Sequence, residues 1–203
     1  LKGIRLEKQQ LVASAGENWD SLVELAVKNN LAGIEALSLI PGTVGGGPVN
    51  NIGAYGQEIK DTLESVEAYD TLKNEFVRLR NTECNFDYRS SIFKNQAHGR
   101  YIISSVKLKL NQPGLDYQIP KYMALADKLK DISKPNLSDV RKAVIELRKS
   151  KLPDPKTTPN TGSFFKNPVV TSKLFEDIKE KYPHVPSYQV DKGLVKIPAG
   201  WLI

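Results

Sequence analysis

Three sets of residues in this chain have the types and spacing that chemistry needs. The first is Ser163, in Gly162-Ser163-Phe164-Phe165. Free serine is a poor acid and a poor nucleophile, so it needs activation by its surroundings. The two histidines, His98 and His184, lie far off in sequence, which argues against a Ser-His-Asp hydrolase. The plain alternative is a serine capping a turn after glycine. The second is Arg89, in Asp87-Tyr88-Arg89-Ser90. Its planar guanidinium can hold a carboxylate through two bonds and stays charged. The alternative is a surface ion pair with Asp87 or Glu83, worth little. The third is Arg148 with Lys151, three apart at the end of a helical stretch and so on one face. They could clamp an anion, or simply be cations at a helix C-terminus, where cations are favoured.

Between these lies Ile40-Pro41-Gly42-Thr43-Val44-Gly45-Gly46-Gly47-Pro48-Val49-Asn50-Asn51-Ile52-Gly53-Ala54-Tyr55-Gly56, with six glycines and no charge from Leu37 to Gln57. Glycine costs backbone entropy, so such a cluster needs a reason. One reason is a chain that visits positive φ repeatedly; another is a backbone that a ligand must approach closely. Pro41 and Pro48 fix φ on either side of the triple glycine. Successive N–H groups in such a loop can form a concave anion site. An ordinary surface loop is the plain alternative. The apolar Ile40, Val44, Val49, Ile52 and Ala54 favour a packed loop.

This stretch resembles the UDP-N-acetylenolpyruvoylglucosamine reductase family, flavoenzymes of bacterial peptidoglycan synthesis. The likeness continues in Tyr88-Arg89-Ser90-Ser91-Ile92-Phe93-Lys94 and Lys151-Leu152-Pro153-Asp154-Pro155-Lys156. It continues again in Gly162-Ser163-Phe164-Phe165-Lys166-Asn167-Pro168 and Ala199-Gly200-Trp201-Leu202-Ile203. The words keep the family's order from end to end of the chain. The resemblance implies NADPH-dependent reduction of UDP-N-acetylglucosamine enolpyruvate through FAD, in a bacterial cytoplasm and on a monomer. It implies FAD contacts from Ile40, Pro41, Gly42, Gly45, Gly46, Gly47, Asn51, Ile52, Gly53, Ala54, Tyr55, Gly56 and Ile103. Arg89 then stabilises enolate-like charge beside flavin and substrate carboxylate, and Ser163 is the general acid. Tyr88, Tyr117, Arg148, Lys151, Asn167, Tyr188 and Lys196 are the implied substrate contacts. The family's third catalytic group, a glutamate near its C-terminus, has no counterpart in this chain. The alternatives are a folded but inactive fragment, or another FAD-dependent oxidase of the same fold.

The elements that must position these residues read as α+β, since strands are interrupted by helices without strict βαβ alternation. The resemblance narrows this to the second subdomain of a vanillyl-alcohol-oxidase-type FAD-binding fold, followed by the start of a substrate-binding domain. Arg5 to Ala13 reads as one strand. Asn18 is a candidate N-cap for a helix to about Asn30, with Trp19, Leu22, Val23, Ala26 and Val27 as its stripe and Gly33 beyond its end. Residues 65–69 and 75–79 alternate as a hairpin around Asp70-Thr71-Leu72-Lys73-Asn74. Thr82 to Phe86 reads as a turn of helix. Tyr101 to Leu110 reads as a strand whose alternation slips between Ile103 and Val106, as at a bulge. Gln118 to Lys134 is weakly helical. Ser138 is a candidate cap for a helix carrying Val140, Val144 and Leu147, ended by Pro153 and Pro155. The proline-rich 152–160 segment marks a boundary between an FAD-binding domain, 1–152, and a substrate-binding domain, 153–203. After it, Thr171 or Ser172 caps a helix with Leu174, Phe175, Ile178 and Tyr182.

Composition sets outer bounds. The chain has 203 residues, 40% hydrophobic and 26% charged, ordinary for a globular protein. No apolar run approaches the roughly 20 residues of a membrane span, and no leader pattern opens the chain. The single Cys84 excludes an internal disulfide and fits a reducing compartment. Two histidines and one cysteine give no metal-ligand pattern. The net charge of +6 suits an anionic small molecule or a generic surface. It argues little for nucleic acid, because bases alternate with acids and no basic block is interleaved with aromatics. The chain opens on Leu1 and closes on apolar Trp201-Leu202-Ile203, the expected mark of a fragment.

Overall fold

The computed structural model describes all residues except 115, 116, 156 and 160–162. Lys156 and Gly162, both named in the motifs above, lie outside the described residues. The chain divides into two compact units, Leu1–Leu152 and Pro153–Ile203.

In the first unit, β1 (Ile4–Glu7) and β2 (Gln10–Ser14) form an antiparallel hairpin. The single strand expected over Arg5 to Ala13 is therefore two. Lys8 takes φ 54° at the turn, a left-handed position that lysine rarely advertises. The hairpin puts Leu11 and Ala13 into the core beside Ile4 and Leu6. Helix α1 (Trp19–Lys28) follows, and Asn18 caps it by accepting from Ser21 N–H at 2.9 Å. Its buried residues are Trp19, Leu22, Val23 and Ala26. Burial of Leu22 and of Val23 contributes about 1.5–3 kcal/mol each. The helix closes on Asn30 at φ 54°, not on Gly33, and Leu31 N–H reaches back to the Ala26 carbonyl at 2.9 Å.

The glycine-rich stretch contains a short helix, α2 (Gly46–Val49), and a tight hairpin of β3 (Gly53–Ala54) and β4 (Gln57–Glu58). Tyr55 and Gly56 form its two-residue turn at φ 47° and 86°, the left-handed pair that such turns require. Strands β5 (Leu63–Asp70) and β6 (Glu75–Arg80) pair around the expected turn. The Asp70 carboxylate organises that turn by accepting from the Leu72 and Lys73 N–H groups at 3.1 and 3.4 Å. A turn of 3-10 helix occupies Asn81–Cys84. Strand β7 (Tyr101–Lys109) lies between β2 and β5, giving an antiparallel sheet of order β1-β2-β7-β5-β6. The register opposite β7 skips Ser104, so the slipped alternation is a bulge.

Helices α3 (Met123–Leu129) and α4 (Leu137–Lys151) pack on the Glu35–Leu37 turn through Ala36, Leu125, Leu129, Val140, Ala143 and Val144. The cap of α4 is Asn136, not Ser138. The Asn136 side-chain Oδ1 accepts from the Ser138 and Asp139 N–H groups at 2.8 and 3.1 Å, and the Asp139 carboxylate returns the bond by accepting from Asn136 N–H. Arg141 fixes α4 to α1 by gripping Asp20 through both Nη atoms at 2.7 and 2.9 Å. The helix stops at Leu152, which is extended before Pro153.

The second unit holds β8 (Val169–Thr171), α5 (Ser172–Lys181), β9 (Tyr188–Asp191), β10 (Leu194–Lys196) and α6 (Ala199–Leu202). The sheet order is β8-β10-β9, antiparallel throughout. Thr171 caps α5 by accepting from Leu174 N–H at 3.3 Å. Its buried stripe is narrower than expected: Phe175 and Ile178 join Val185, Val195 and Ile197, while Leu174 and Tyr182 are exposed. Both units mix helices with antiparallel sheet, an α+β architecture. No helix among the described residues is long and apolar enough to cross a membrane.

Candidate functional site

The glycine-rich stretch is stitched to the sheet rather than left as a surface loop. The Ser104 carbonyl at the bulge accepts from Ala15 N–H at 2.8 Å, and the Ala15 carbonyl accepts from Gly45 N–H at 2.9 Å. This brings β7, with Ile103, to the base of the loop. A Cβ on Gly45 would sit 2.7 Å from Ala15 Cβ, so close backbone approach accounts for that glycine. At Gly47 the same test meets Ile59 Cδ1 at 2.9 Å. Val44, Gly47, Pro48 and Asn51 are buried; Ile40, Ile52 and Ala54 are half-buried against the core. The N–H groups of Val44, Gly45, Gly46 and Gly47 all donate to backbone carbonyls, at 2.9, 2.9, 3.0 and 3.1 Å. The expected anion cradle of successive free N–H groups is therefore not formed at these four positions.

Asn51 is the knot of the site. It is fully buried at φ 40°, which asparagine tolerates better than most residues. Its Nδ2 donates to Glu58 Oε2 and to the Asp87 carbonyl, both at 3.0 Å, and its Oδ1 accepts from Lys60 N–H at 3.2 Å. Ser91, also buried, donates to the Val49 carbonyl at 2.7 Å. Lys94 Nζ donates to Asn50 Oδ1 at 2.8 Å. The Tyr88-Arg89 segment is thus sewn onto the glycine loop across almost forty positions of sequence.

Arg89 stands at that seam, at φ 52° in a two-residue turn closed by Asp87 and Ser90. The expected alternative, a pair with Asp87 or Glu83, is not what forms. Glu83 holds Arg80 at 2.9 Å, and Asp87 Oδ1 caps Tyr88 N–H at 2.7 Å. Arg89 Nη1 instead donates to Glu58 Oε1 and to the Asn51 carbonyl, both at 3.3 Å, and its Nη2 donates to the Gly53 carbonyl. The Tyr88 ring lies 5.1 Å from its guanidinium carbon.

Arg148 and Lys151 do not form a joint clamp. Arg148 turns into the unit, where its Nε donates to the Leu39 carbonyl at 3.2 Å, and burial draws its pKa down. Burial likewise raises the pKa of Tyr55, which stacks edge-on against Tyr122 with centroids 5.1 Å apart, and the nearby Arg148 charge opposes that rise. Lys151 stays exposed in the last turn of α4. The Tyr117 hydroxyl is committed to a buried carboxylate, donating to Glu35 Oε1 at 2.7 Å. Gln57 Nε2 and Gly33 N–H complete that carboxylate's shell at 2.9 and 2.6 Å. Burial, then Glu35, pushes the Tyr117 pKa far up, so its proton stays in place. This network joins positions up to 82 residues apart, which no local pattern signals.

In the second unit, Tyr188 and Lys196 are direct cross-strand partners on β9 and β10, and Lys196 also faces Val169 of β8. Asn167 lies at the same end of this sheet, two residues before Val169. Its Oδ1 accepts from Ala199 N–H at 2.9 Å, so that oxygen caps α6. Ser163 is exposed, beside Phe164 and Phe165, whose rings meet edge-on with centroids 5.0 Å apart. Phe164 is 84% exposed, which is unusual for an aromatic side chain.

Residues 1–79 match a family model described as an FAD binding domain. The UDP-N-acetylenolpyruvoylglucosamine reductase of Flavobacterium johnsoniae is 46% identical across all of this chain, which covers 62% of that relative. The protein of the same name from Chromobacterium violaceum is 43% identical, again over all of this chain and 61% of the relative. The chain therefore spans about three-fifths of the length of the curated relatives it matches. The crystal structure of the UDP-N-acetylenolpyruvylglucosamine reductase of Thermus caldophilus covers 92% of this chain and 60% of its own, at a TM-score of 0.53 and 23% identity. That likeness is one of fold.

Proposed function

We propose that the chain is part of a member of the UDP-N-acetylenolpyruvoylglucosamine reductase family, two of whose members are 46% and 43% identical to it over its whole length, and that the whole protein reduces UDP-N-acetylglucosamine enolpyruvate to UDP-N-acetylmuramate with NADPH and FAD. The observation that carries this reading is an overall identity of 46% in an alignment that covers all of this chain.

The residues of the first unit fit an FAD. The stretch Leu37 to Gln57 carries no charge. Gly42 and Gly46 would each aim a Cβ at space with no protein atom within 4 Å, whereas Gly45, Gly47 and Gly53 are glycine because protein atoms crowd them. A flat ligand can approach the backbone at the open pair. Ile40 to Gly56, together with Ile103, would hold the group. When bound, FAD supplies the relay of a hydride from NADPH to the terminal carbon of the enol ether.

The remaining roles belong to this chain's own side chains. Arg89 holds the substrate carboxylate and offsets the charge that develops there in the transition state. Its anchored guanidinium supports this, because a fixed donor needs little reorganisation during the reaction. Ser163 delivers a proton to the carbon adjacent to the site of reduction. Lys151 binds diphosphate oxygens, and the Tyr188–Lys196 pair binds the nucleotide sugar. Tyr117, Arg148 and the Asn167 oxygen each have a partner within their own unit, which supports a structural part for them alongside any substrate contact. Cys84 is buried as a free thiol, which supports a cytoplasmic setting. In the whole protein, NADPH consumption should require the enolpyruvyl sugar. Consumption at the same rate without it would refute the proposal.

A further inference from the structure

We propose that Glu58 is the positioning residue that aims Arg89, so that one particular edge of the guanidinium is left open for a carboxylate. The proposal rests on the reading of Arg89 given above and adds the residue on which that reading depends.

A guanidinium has five N–H donors in a rigid plane. Both donors of Arg89 Nη1 are taken, by Glu58 Oε1 and the Asn51 carbonyl at 3.3 Å each. One donor of Nη2 is taken by the Gly53 carbonyl. Two donors remain without a partner among the described residues: the Nε–H and the second N–H of Nη2. Nε and Nη2 form the side-on edge of the guanidinium, the edge that matches a carboxylate, and on that edge the Nε–H is open among the described residues. The same chain shows that grip, since Arg100 holds Asp70 through Nε and Nη2 at 2.8 and 2.6 Å. On the same edge of Arg89 only Nη2 is engaged among the described residues, by the Gly53 carbonyl, and the side chain is 30% exposed, within reach of solvent and ligand.

Glu58 suits this task because every group around its carboxylate is a donor. Oε1 faces Arg89; Oε2 accepts from Asn51 Nδ2 and Lys60 Nζ, both at 3.0 Å. Only a group that accepts on both sides satisfies all three, so an amide in its place must turn one N–H₂ toward a donor. The carboxylate is held from behind by the fully buried Asn51. The backbone of Glu58 pairs with Gly53, whose carbonyl takes Arg89 Nη2. One short hairpin therefore supplies two of the three acceptors that set the guanidinium plane, and the ring of Tyr88 limits its tilt. If Glu58 were merely a counter-ion, it would compete with an incoming carboxylate, and its removal would tighten binding. If it positions Arg89, its removal must weaken binding. The two roles differ in sign.

The test uses the whole FAD-loaded enzyme and calorimetric binding of two ligands: UDP-N-acetylmuramate, which carries the carboxylate, and UDP-N-acetylglucosamine, which lacks it. Glu58→Gln should weaken the first about 10-fold, as for loss of one charge-assisted hydrogen bond, and leave the second within about twofold. Glu58→Asp, which keeps an acceptor on both sides, should fall between wild type and Glu58→Gln. Unchanged or tighter binding of the carboxylate ligand by Glu58→Gln overturns the proposal. Equal weakening of both ligands also overturns it, because Glu58 would then be a general structural part. Arg89→Ala separates the two levels. If it loses only the carboxylate ligand while Glu58→Gln loses neither, Arg89 keeps its role and Glu58 does not. If Arg89→Ala binds both ligands as wild type does, the role of Arg89 falls, and that of Glu58 with it.

Discussion

Replacing Gly53 by alanine should damage the reaction while sparing the fold. The new methyl group would lie 2.7 Å from Arg89 Nη1, 2.8 Å from Glu58 Cγ and 3.0 Å from the Gln57 carbonyl. Ordinary contact begins at 3.4 Å, so the guanidinium must retreat by about 0.7 Å. The guanidinium is the end of a flexible side chain, but Glu58 Cγ and the Gln57 backbone carbonyl must also give way, so the stability cost is that of ordinary overpacking, about 1–3 kcal/mol. The cost to catalysis is larger, because a misplacement of about 1 Å can remove roughly 10²-fold in rate. In the whole enzyme with full flavin content, kcat/KM for the enolpyruvyl sugar should fall about 10- to 100-fold, with flavin reduction by NADPH near wild type. Gly114→Ala, outside the glycine-rich stretch, is the control: its Cβ meets nothing within 4 Å, and stability should hold. Wild-type turnover by folded Gly53→Ala would refute the reasoning. So would loss of flavin in place of loss of turnover, since the methyl would then be displacing the cofactor and not Arg89.

Two further predictions follow from the site and its scaffold. Asp70 is held down to a pKa of about 2, well below the ordinary aspartate value of 3.8, chiefly by its hydrogen bonds from Arg100. A depressed carboxyl pKa gives stability that is fully present above about pH 4 and is lost as pH falls through 2. Asp70→Asn should therefore be less stable than wild type at neutral pH, with the gap closing between pH 4 and 2 in acid-unfolding curves; a constant gap would contradict the pairing. Lys151→Ala in the whole enzyme should raise the apparent constant for the UDP sugar roughly 10- to 150-fold, the range for a charge-assisted hydrogen bond. It should leave NADPH reduction of flavin untouched, and an unchanged sugar constant would remove Lys151 from the site.

Much of the scaffold is legible in sequence because its signals are local. Asn18 reads as a cap because the helical stripe begins beside it. The Asp70 turn reads from its turn-forming residues, and the bulge at Ser104 from one slip in alternation. Local signals also mislead when two compete: Ser138 looks like the cap of α4, but Asn136 is placed two residues earlier and takes the post. The Lys8 turn is silent because lysine carries no turn preference, and the positive φ is imposed by pairing of the flanking strands. The Arg89 site is legible only in part. Its motif words single out Arg89, but not that Glu58, 31 positions earlier, holds the guanidinium. The Glu35–Gln57–Tyr117 network is further from view, since buried polar contacts of long sequence separation leave no periodicity. Tyr117 is singled out by the family resemblance alone, and the hydrogen bond of its hydroxyl to Glu35 is not legible in the sequence.

The central claim, that this chain carries the acid of a two-stage flavin reduction, is tested most directly by rapid mixing of the whole enzyme bearing Ser163→Ala. Flavin absorbance follows each stage separately. Reduction by NADPH needs no proton at the sugar, so the account predicts a near-wild-type rate. Reoxidation by the enolpyruvyl sugar does need one, and it should slow by about 10²- to 10⁴-fold, the usual contribution of a general acid. Ser163→Cys, which keeps a proton at that position, should recover part of the rate. Reoxidation of Ser163→Ala at the wild-type rate, or equal slowing of both stages, would contradict the account.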